Sequence, residues 1–250
     1  MSDAVRDPWL VEIVPGSDAG KDEVFYAVPH AGAGAAAVRD LCRVVGRYAT
    51  TVAVRLPARE ARLEEPPLRE VAPIANAVAE AIIGHARGRK ITMYGHCSGA
   101  IVAFETALRL QTAGVRALFL SAHQPPDRIV RDGVWRWPGE PFIQRVAADG
   151  YMPPYILEDP ELLALIEPAL RADYEAIETY RPSADARLDA PILGILGTAD
   201  GAVDERDFAA WSGFTSCGFE LHKVRDGGHN LLLSWTAEVA EVITGWSRWH

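Results

Sequence analysis

A cysteine between two spaced glycines is the residue most open to chemistry in this chain. The stretch Ile91-Thr92-Met93-Tyr94-Gly95-His96-Cys97-Ser98-Gly99-Ala100 passes from a short apolar segment through Gly-x-Cys-x-Gly into a helical pattern. That order describes a nucleophile elbow, a tight strand-to-helix turn that presents one side chain at its tip. The turn is crowded, so the positions two before and two after the nucleophile must be small. Gly95 and Gly99 meet that need if Cys97 is the nucleophile. Centring the turn on Ser98 instead puts His96 and Ala100 there, and the imidazole makes that register poor. A thiol at a helix N-terminus and near a histidine is favoured as a nucleophilic thiolate.

An elbow nucleophile is followed along the chain by an acid and then a histidine. The apolar run Ile192–Leu196 leads into Gly197-Thr198-Ala199-Asp200-Gly201, which places Asp200 just beyond a strand end. Asp204 is the competing acid, better suited to capping the helix after it. After the last strand comes Asp226-Gly227-Gly228-His229-Asn230, where two glycines permit a tight turn that presents His229 as the base. His96, inside the elbow, fits packing or hydrogen bonding better than proton transfer. His30 sits in Pro29-His30-Ala31-Gly32-Ala33-Gly34, a small-residue turn that allows close backbone approach. By analogy with elbow architectures, the backbone N–H groups of Ala31 and Ser98 would form the oxyanion hole.

These residues need elements to hold them. Strands are expected at Val24–Val28, Thr51–Arg55, Ile91–Tyr94, Ala117–Ser121, Ile192–Leu196 and Phe219–Val224. Most are continuous apolar runs, as strands buried on both faces require. Helices are expected at Ala35–Arg47, Glu70–Arg87, Gly99–Thr112, Asp204–Ser212 and Leu231–Trp249. Such alternation implies an α/β domain with a mostly parallel sheet. About 70 residues separate Ser121 from Ile192, far more than a plain crossover needs. That connection opens rich in Pro and Trp. Leu163, Ile166, Leu170, Tyr174 and Ile177 then mark one helix face, or two helices broken at Pro168. A lid insertion over about residues 124–188 of a single domain is the expected reading.

Composition narrows the function classes. The 250 residues carry 25 basic and 34 acidic side chains, a net charge of −9, which disfavours nonspecific nucleic-acid binding. No run approaches the ~18 apolar residues of a membrane span, and the N-terminal stretch lacks a signal-peptide core. Cys42, Cys97 and Cys217 are too few and too scattered for a disulfide framework or a zinc site. Cys42 and Cys217 are expected to be packing residues. A cytoplasmic protein is expected, acting as a monomer without metal or organic cofactor.

Taken in order, these motifs resemble the type II thioesterases of polyketide and nonribosomal peptide synthesis. The likeness runs from about Val24 to about Leu233. Besides the oxyanion loop and the elbow, it includes Arg55-Leu56-Pro57-Ala58-Arg59-Glu60 and Val102-Ala103-Phe104-Glu105. It continues with Leu170-Arg171-Ala172-Asp173-Tyr174, Glu178-Thr179-Tyr180, Gly197-x-x-Asp200 and Gly227-Gly228-His229. The resemblance implies an α/β-hydrolase fold and action on acyl groups held as phosphopantetheine thioesters by an acyl or peptidyl carrier protein. Lid arginines such as Arg128, Arg131 and Arg136 are docking candidates for that carrier. The family usually has Ser at the elbow, where this chain has Cys97. A Cys acyl-enzyme is itself a thioester and stays activated, so water, an amine or a second carrier's thiol could accept the group. Hydrolysis is the first expectation and transfer the second. A noncatalytic carrier-binding homologue is the reading of another class.

Overall fold

The short apolar runs form the strands of one sheet in a computed structural model that describes residues 7–15, 22–150, 152 and 154–248. All six expected strands are present: β2 (Glu23–Val28), β3 (Thr50–Val54), β4 (Lys90–His96), β5 (Val115–Ser121), β6 (Ile192–Gly197) and β7 (Phe219–Val224). A seventh, β1 (Leu10–Val14), precedes them and pairs antiparallel with β3. Its five residues are mostly half-buried and interrupted by Glu12, so they lack the continuous apolar run of the central strands. The sheet order is β1-β3-β2-β4-β5-β6-β7, and every pairing except β1 with β3 is parallel.

Helices cover both faces. On one side, α2 (Val71–Ala86) and α3 (Ser98–Arg109) pack Ile74, Val78, Ile101 and Phe104 against Val24, Tyr26 and Met93 of the sheet. On the other, α1 (Arg39–Val45) and α9 (Thr236–Gly245) pack Leu41, Val45, Val239 and Ile243 against Phe25, Ala27 and Tyr94. Alternate residues of β2 thus feed opposite cores, which explains why its sequence is apolar throughout. This is the α/β-hydrolase arrangement expected from the sequence. No helix among the described residues is long and apolar enough to cross a membrane.

The chain runs outward from β2 to β3, then returns to lay β4 on the other side of β2. Such a reversal opens a crevice at the C-terminal strand ends, where α/β proteins bind ligands. Here that point lies between the loop after β2 and the turn after β4, because Val28 pairs with Gly95.

Between β5 and β6 the chain builds α4 (Gly139–Ala148), α5 (Pro154–Leu157) and α6 (Pro160–Thr179). Asp159 caps α6 by accepting from the Glu161 and Leu162 amides, and Pro160 occupies its first turn. Pro168 does not break this helix, which continues through it for 20 residues. The Pro- and Trp-rich stretch is stapled to α6. Glu178 accepts from the amides of Gly133 and Val134, and Arg171 donates to the carbonyls of Trp135 and Trp137. Tyr180 donates to Glu105 of α3, tying the segment to the sheet-packing helices.

The expected helices are corrected in part. The run Ala35–Arg47 opens with a 3-10 turn over Ala35–Val38 before α1. The run Leu231–Trp249 splits at Trp235 into α8 (Leu231–Ser234) and α9, and Trp249 lies outside the described residues. The run Asp204–Ser212 becomes α7 (Glu205–Ala209) followed by a 3-10 turn from Ala210 to Phe214.

Candidate active site

The elbow takes the form its glycines demand. Cys97 has φ 52° and ψ −128°, a backbone conformation that L-residues avoid and that stores strain at functional turns. The turn is held because the Cys97 amide donates to the Ser121 carbonyl of β5 at 2.9 Å, and the Ala100 amide donates to the Cys97 carbonyl at 2.8 Å. A Cβ on Gly95 would collide with the Gly99 carbonyl and lie 2.6 Å from the Ala100 Cα. A Cβ on Gly99 would collide with the Pro29 carbonyl and lie 2.5 Å from the Val28 carbonyl. Both positions are therefore closed to side chains by backbone, as the Cys97-centred register requires.

The acid and base loops are built against each other at the ends of β6 and β7. The Thr198 amide donates to the Val224 carbonyl, the Ala199 amide to the Gly227 carbonyl, and the Asp226 amide to the Thr198 hydroxyl. The left-handed residue of the second loop is Asp226, at φ 57°, not Gly227 or Gly228. Asp200, whose side chain is fully buried, accepts from the amides of Ala202 and Val203 at 2.8 and 3.3 Å. His229 Nδ1 lies 3.0 and 3.1 Å from the two Asp200 oxygens, and its Nε2 lies 3.3 Å from the Cys97 sulfur. A carboxylate only accepts, so Nδ1 carries a proton and Nε2 faces the thiol. Asp204 instead caps α7 through the Arg206 amide.

Burial opposes charge on His229, but the neighbouring Cys97 sulfur and the Asp200 carboxylate outweigh it and push the imidazole pKa up to about 10. A histidine this close to the sulfur can take the thiol proton, which generates the reactive form of a cysteine nucleophile. The other nearby histidines go the opposite way. His96 is buried with Nδ1 2.8 Å from the Ser121 hydroxyl. Burial first, then the neighbouring His30 and His229, hold its pKa well below the usual imidazole range. His30 packs edge-on to His96 at 5.8 Å, and burial, with His229 and Arg59 nearby, brings it down to about 4.

Ala31 and Ser98 line the cavity beside Cys97. The remaining lining includes His123, Val134, Tyr174 and Ile177. The segment between β5 and β6 closes over this space: Cys97 and Ala31 share one buried cluster with Val134, Phe142, Val146 and Leu170.

Residues 24–247 match the thioesterase domain family. The chain belongs to that family. It is 31% identical over 223 residues to Thioesterase PikA5 of Streptomyces venezuelae, covering 88% of this chain and 79% of that one. It is 32% identical over 240 residues to Phenyloxazoline synthase MbtB of Mycobacterium tuberculosis, covering 95% of this chain but only 17% of that much longer protein. Among solved structures, it superposes on the type II thioesterase BorB from the borrelidin biosynthetic cluster with a TM-score of 0.84 and 29% identity. That match covers 95% of this chain and 96% of the other.

Two sequence expectations change. Cys42 is a buried packing residue whose thiol burial pushes up to about 12, but Cys217 is exposed. It lies in the turn before β7, where its amide donates to the Thr215 hydroxyl. Arg131 is a weaker docking candidate, because its guanidinium already donates to the carbonyls of Ile129, Pro126 and Tyr180. Arg136 lies over the Trp135 ring, and Arg128 is half-exposed beside Asp127. What the motifs did not reveal is a contact between two of them: Arg59 and Asp173, 114 residues apart, form a buried ion pair beside the oxyanion loop. Each stands in a segment that carried the family likeness, and nothing local in either marks its partner.

Proposed function

We propose that this chain hydrolyses acyl or aminoacyl thioesters carried on the phosphopantetheine arms of carrier proteins in polyketide or nonribosomal peptide biosynthesis, through an acyl group held on Cys97. The observation that carries this reading is the continuous contact from Asp200 through His229 to the Cys97 sulfur, beneath the closing segment. The names of the relatives, among them a thioesterase and a type II thioesterase, support the thioester substrate.

In this mechanism the Cys97 sulfur attacks the thioester carbonyl carbon, and the carbonyl oxygen becomes an oxyanion facing the amides of Ala31 and Ser98. Collapse breaks the bond to the pantetheine sulfur, which leaves with the proton from His229 Nε2. Water then loses a proton to His229 and attacks the Cys97 thioester. Cys97 departs as thiolate and the free acid is released. Asp200 keeps Nδ1 protonated and stabilises the imidazolium at each stage. Every reacting group is a side chain or backbone amide, so the reading needs no metal or organic cofactor.

Cys97 also favours a second outcome. Its acyl-enzyme is a thioester like the substrate, so a second carrier's thiol can take the group in a nearly isoenergetic exchange. The test loads one carrier with an acyl group, adds enzyme and an empty holo-carrier, and follows all three by intact mass. Free acid with a transient adduct on Cys97 is expected. Rapid movement to the second carrier without free acid would replace hydrolysis with transfer. Binding of the carrier with no turnover and no adduct would leave a noncatalytic binding role.

A further inference from the structure

The turn that offers the Ala31 amide is held from above. Three consecutive amides follow His30. The Ala33 amide donates to the His30 carbonyl at 3.1 Å, closing a tight turn. The Gly32 amide donates to the Asp173 carboxylate at 2.8 Å. Ala31, whose two successors are engaged in this way, lines the cavity beside Cys97. Asp173 stands on α6, a helix of the segment that closes the site, and the same oxygen that accepts from Gly32 also accepts from Arg59 at 2.8 Å. The second oxygen accepts from Arg59 at 3.1 Å, so the pair is bidentate, and both side chains are 6% exposed. Arg59 reaches back to the same turn through the Ala33 carbonyl, at 3.3 Å. Its neighbour Glu60 accepts from the Ala36 amide at 3.1 Å. The fit is close: Gly32 has φ +70°, and a Cβ there would lie 3.1 Å from the Leu170 side chain on α6.

A buried ion pair is weak grounds for stability, because desolvation offsets most of its attraction. This one is better explained by what it aims. A charged acceptor makes a strong, directional bond to a single backbone amide, and that amide adjoins the oxyanion donor. We propose that Asp173, held by Arg59, is a positioning residue that orients the Ala31 amide, so that seating of α6 over the cavity and completion of the oxyanion site are one event. This rests on the hydrolase reading above. A substrate that prevents α6 from seating would meet the thiolate without the full oxyanion site, so the enzyme would not be acylated by molecules that merely reach Cys97.

Two reactions of one sulfur separate this role from general support. Iodoacetamide alkylates a thiolate by displacing iodide at saturated carbon and forms no oxyanion. Acylation by an acyl N-acetylcysteamine thioester, read as thiol released in a single turnover, does form one. Asp173→Asn is expected to slow acylation about 10- to 100-fold and to change alkylation by less than about twofold. Because that variant strands the buried Arg59 cation, Arg59→Gln/Asp173→Asn is measured beside it and should show the same split. Amide hydrogen exchange should quicken at residues 30–36 in both. Equal losses in the two reactions, or unchanged acylation, would overturn the proposal. A wild-type protein that is alkylated but never acylated would refute the hydrolase reading itself. In that case unchanged exchange at residues 30–36 would refute the clamp as well.

Discussion

His229 faces the Cys97 sulfur with one ring nitrogen, at 3.3 Å, while Asp200 holds the other. The imidazole is thus suspended between a cysteine sulfur and a carboxylate, and its charge state depends on both. Removing the sulfur should show this directly. In the wild-type protein the ring should titrate near 10, and in Cys97→Ala its pKa should fall, because the main favourable charge contact is gone. NMR of the His229 ring protons against pH measures it. The sign for stability follows: a raised folded pKa stabilises the fold fully below about 6.5, and that contribution fades as pH rises through about 10. An unchanged His229 titration in Cys97→Ala would mean that the two groups are not coupled.

Asp200→Asn should lower kcat/KM by about 10³-fold or more, because an amide no longer fixes the Nδ1-protonated tautomer or stabilises the imidazolium. Asp204→Asn, which alters only a helix cap, should leave kcat/KM within about twofold. Steady-state kinetics on one thioester substrate compares them. A larger loss at Asp204 than at Asp200 would reverse the assignment of the acid.

Acid should destabilise this fold before its carboxylates titrate. Burial holds His30 and His123 neutral down to about 4, and holds His96 well below the usual imidazole range. The unfolded chain binds protons at these residues from about pH 6.5 downward, while the folded chain does not. Each therefore removes ~1.4 kcal/mol of stability per pH unit in that window. Urea unfolding at pH 7, 6 and 5 should show a progressive fall, lessened in His123→Gln. A flat profile from pH 7 to 5 would contradict the burial of these rings.

Two glycines should respond oppositely to alanine. Gly95→Ala forces a Cβ into the backbone of Gly99 and Ala100, neither of which can yield without moving the elbow. Loss of activity and about 1–3 kcal/mol of stability are expected, as for overpacked cores. Gly84, inside α2, has open space around it, so Gly84→Ala should stabilise by about 0.5–1 kcal/mol. Thermal melts of the two variants provide the comparison.

Much of the architecture is local in origin and was therefore legible. The five inner strands are apolar runs because both of their faces are covered. The elbow announces itself because backbone crowding admits only glycine at two fixed offsets from Cys97. Strand β1 escaped notice since an exposed edge needs no long apolar run. Pro168 left one helix or two open from sequence, and α6 runs through it unbroken. Cys217 looked like a core residue by type, yet its turn leaves it in solvent.

The chain alone carried the order nucleophile, acid, base and the strand ends on which each would sit. It did so because periodicity, glycine spacing and turn residues act over a few positions. Tertiary structure decided the rest: which carboxylate meets His229, how far its ring stands from the sulfur, and that Asp173 reaches across 141 residues to the Gly32 amide. Those pairings depend on how the loops after β2, β4, β6 and β7 converge beneath α6. Convergence is set by the sheet order and by the packing of distant side chains, neither of which a local pattern encodes.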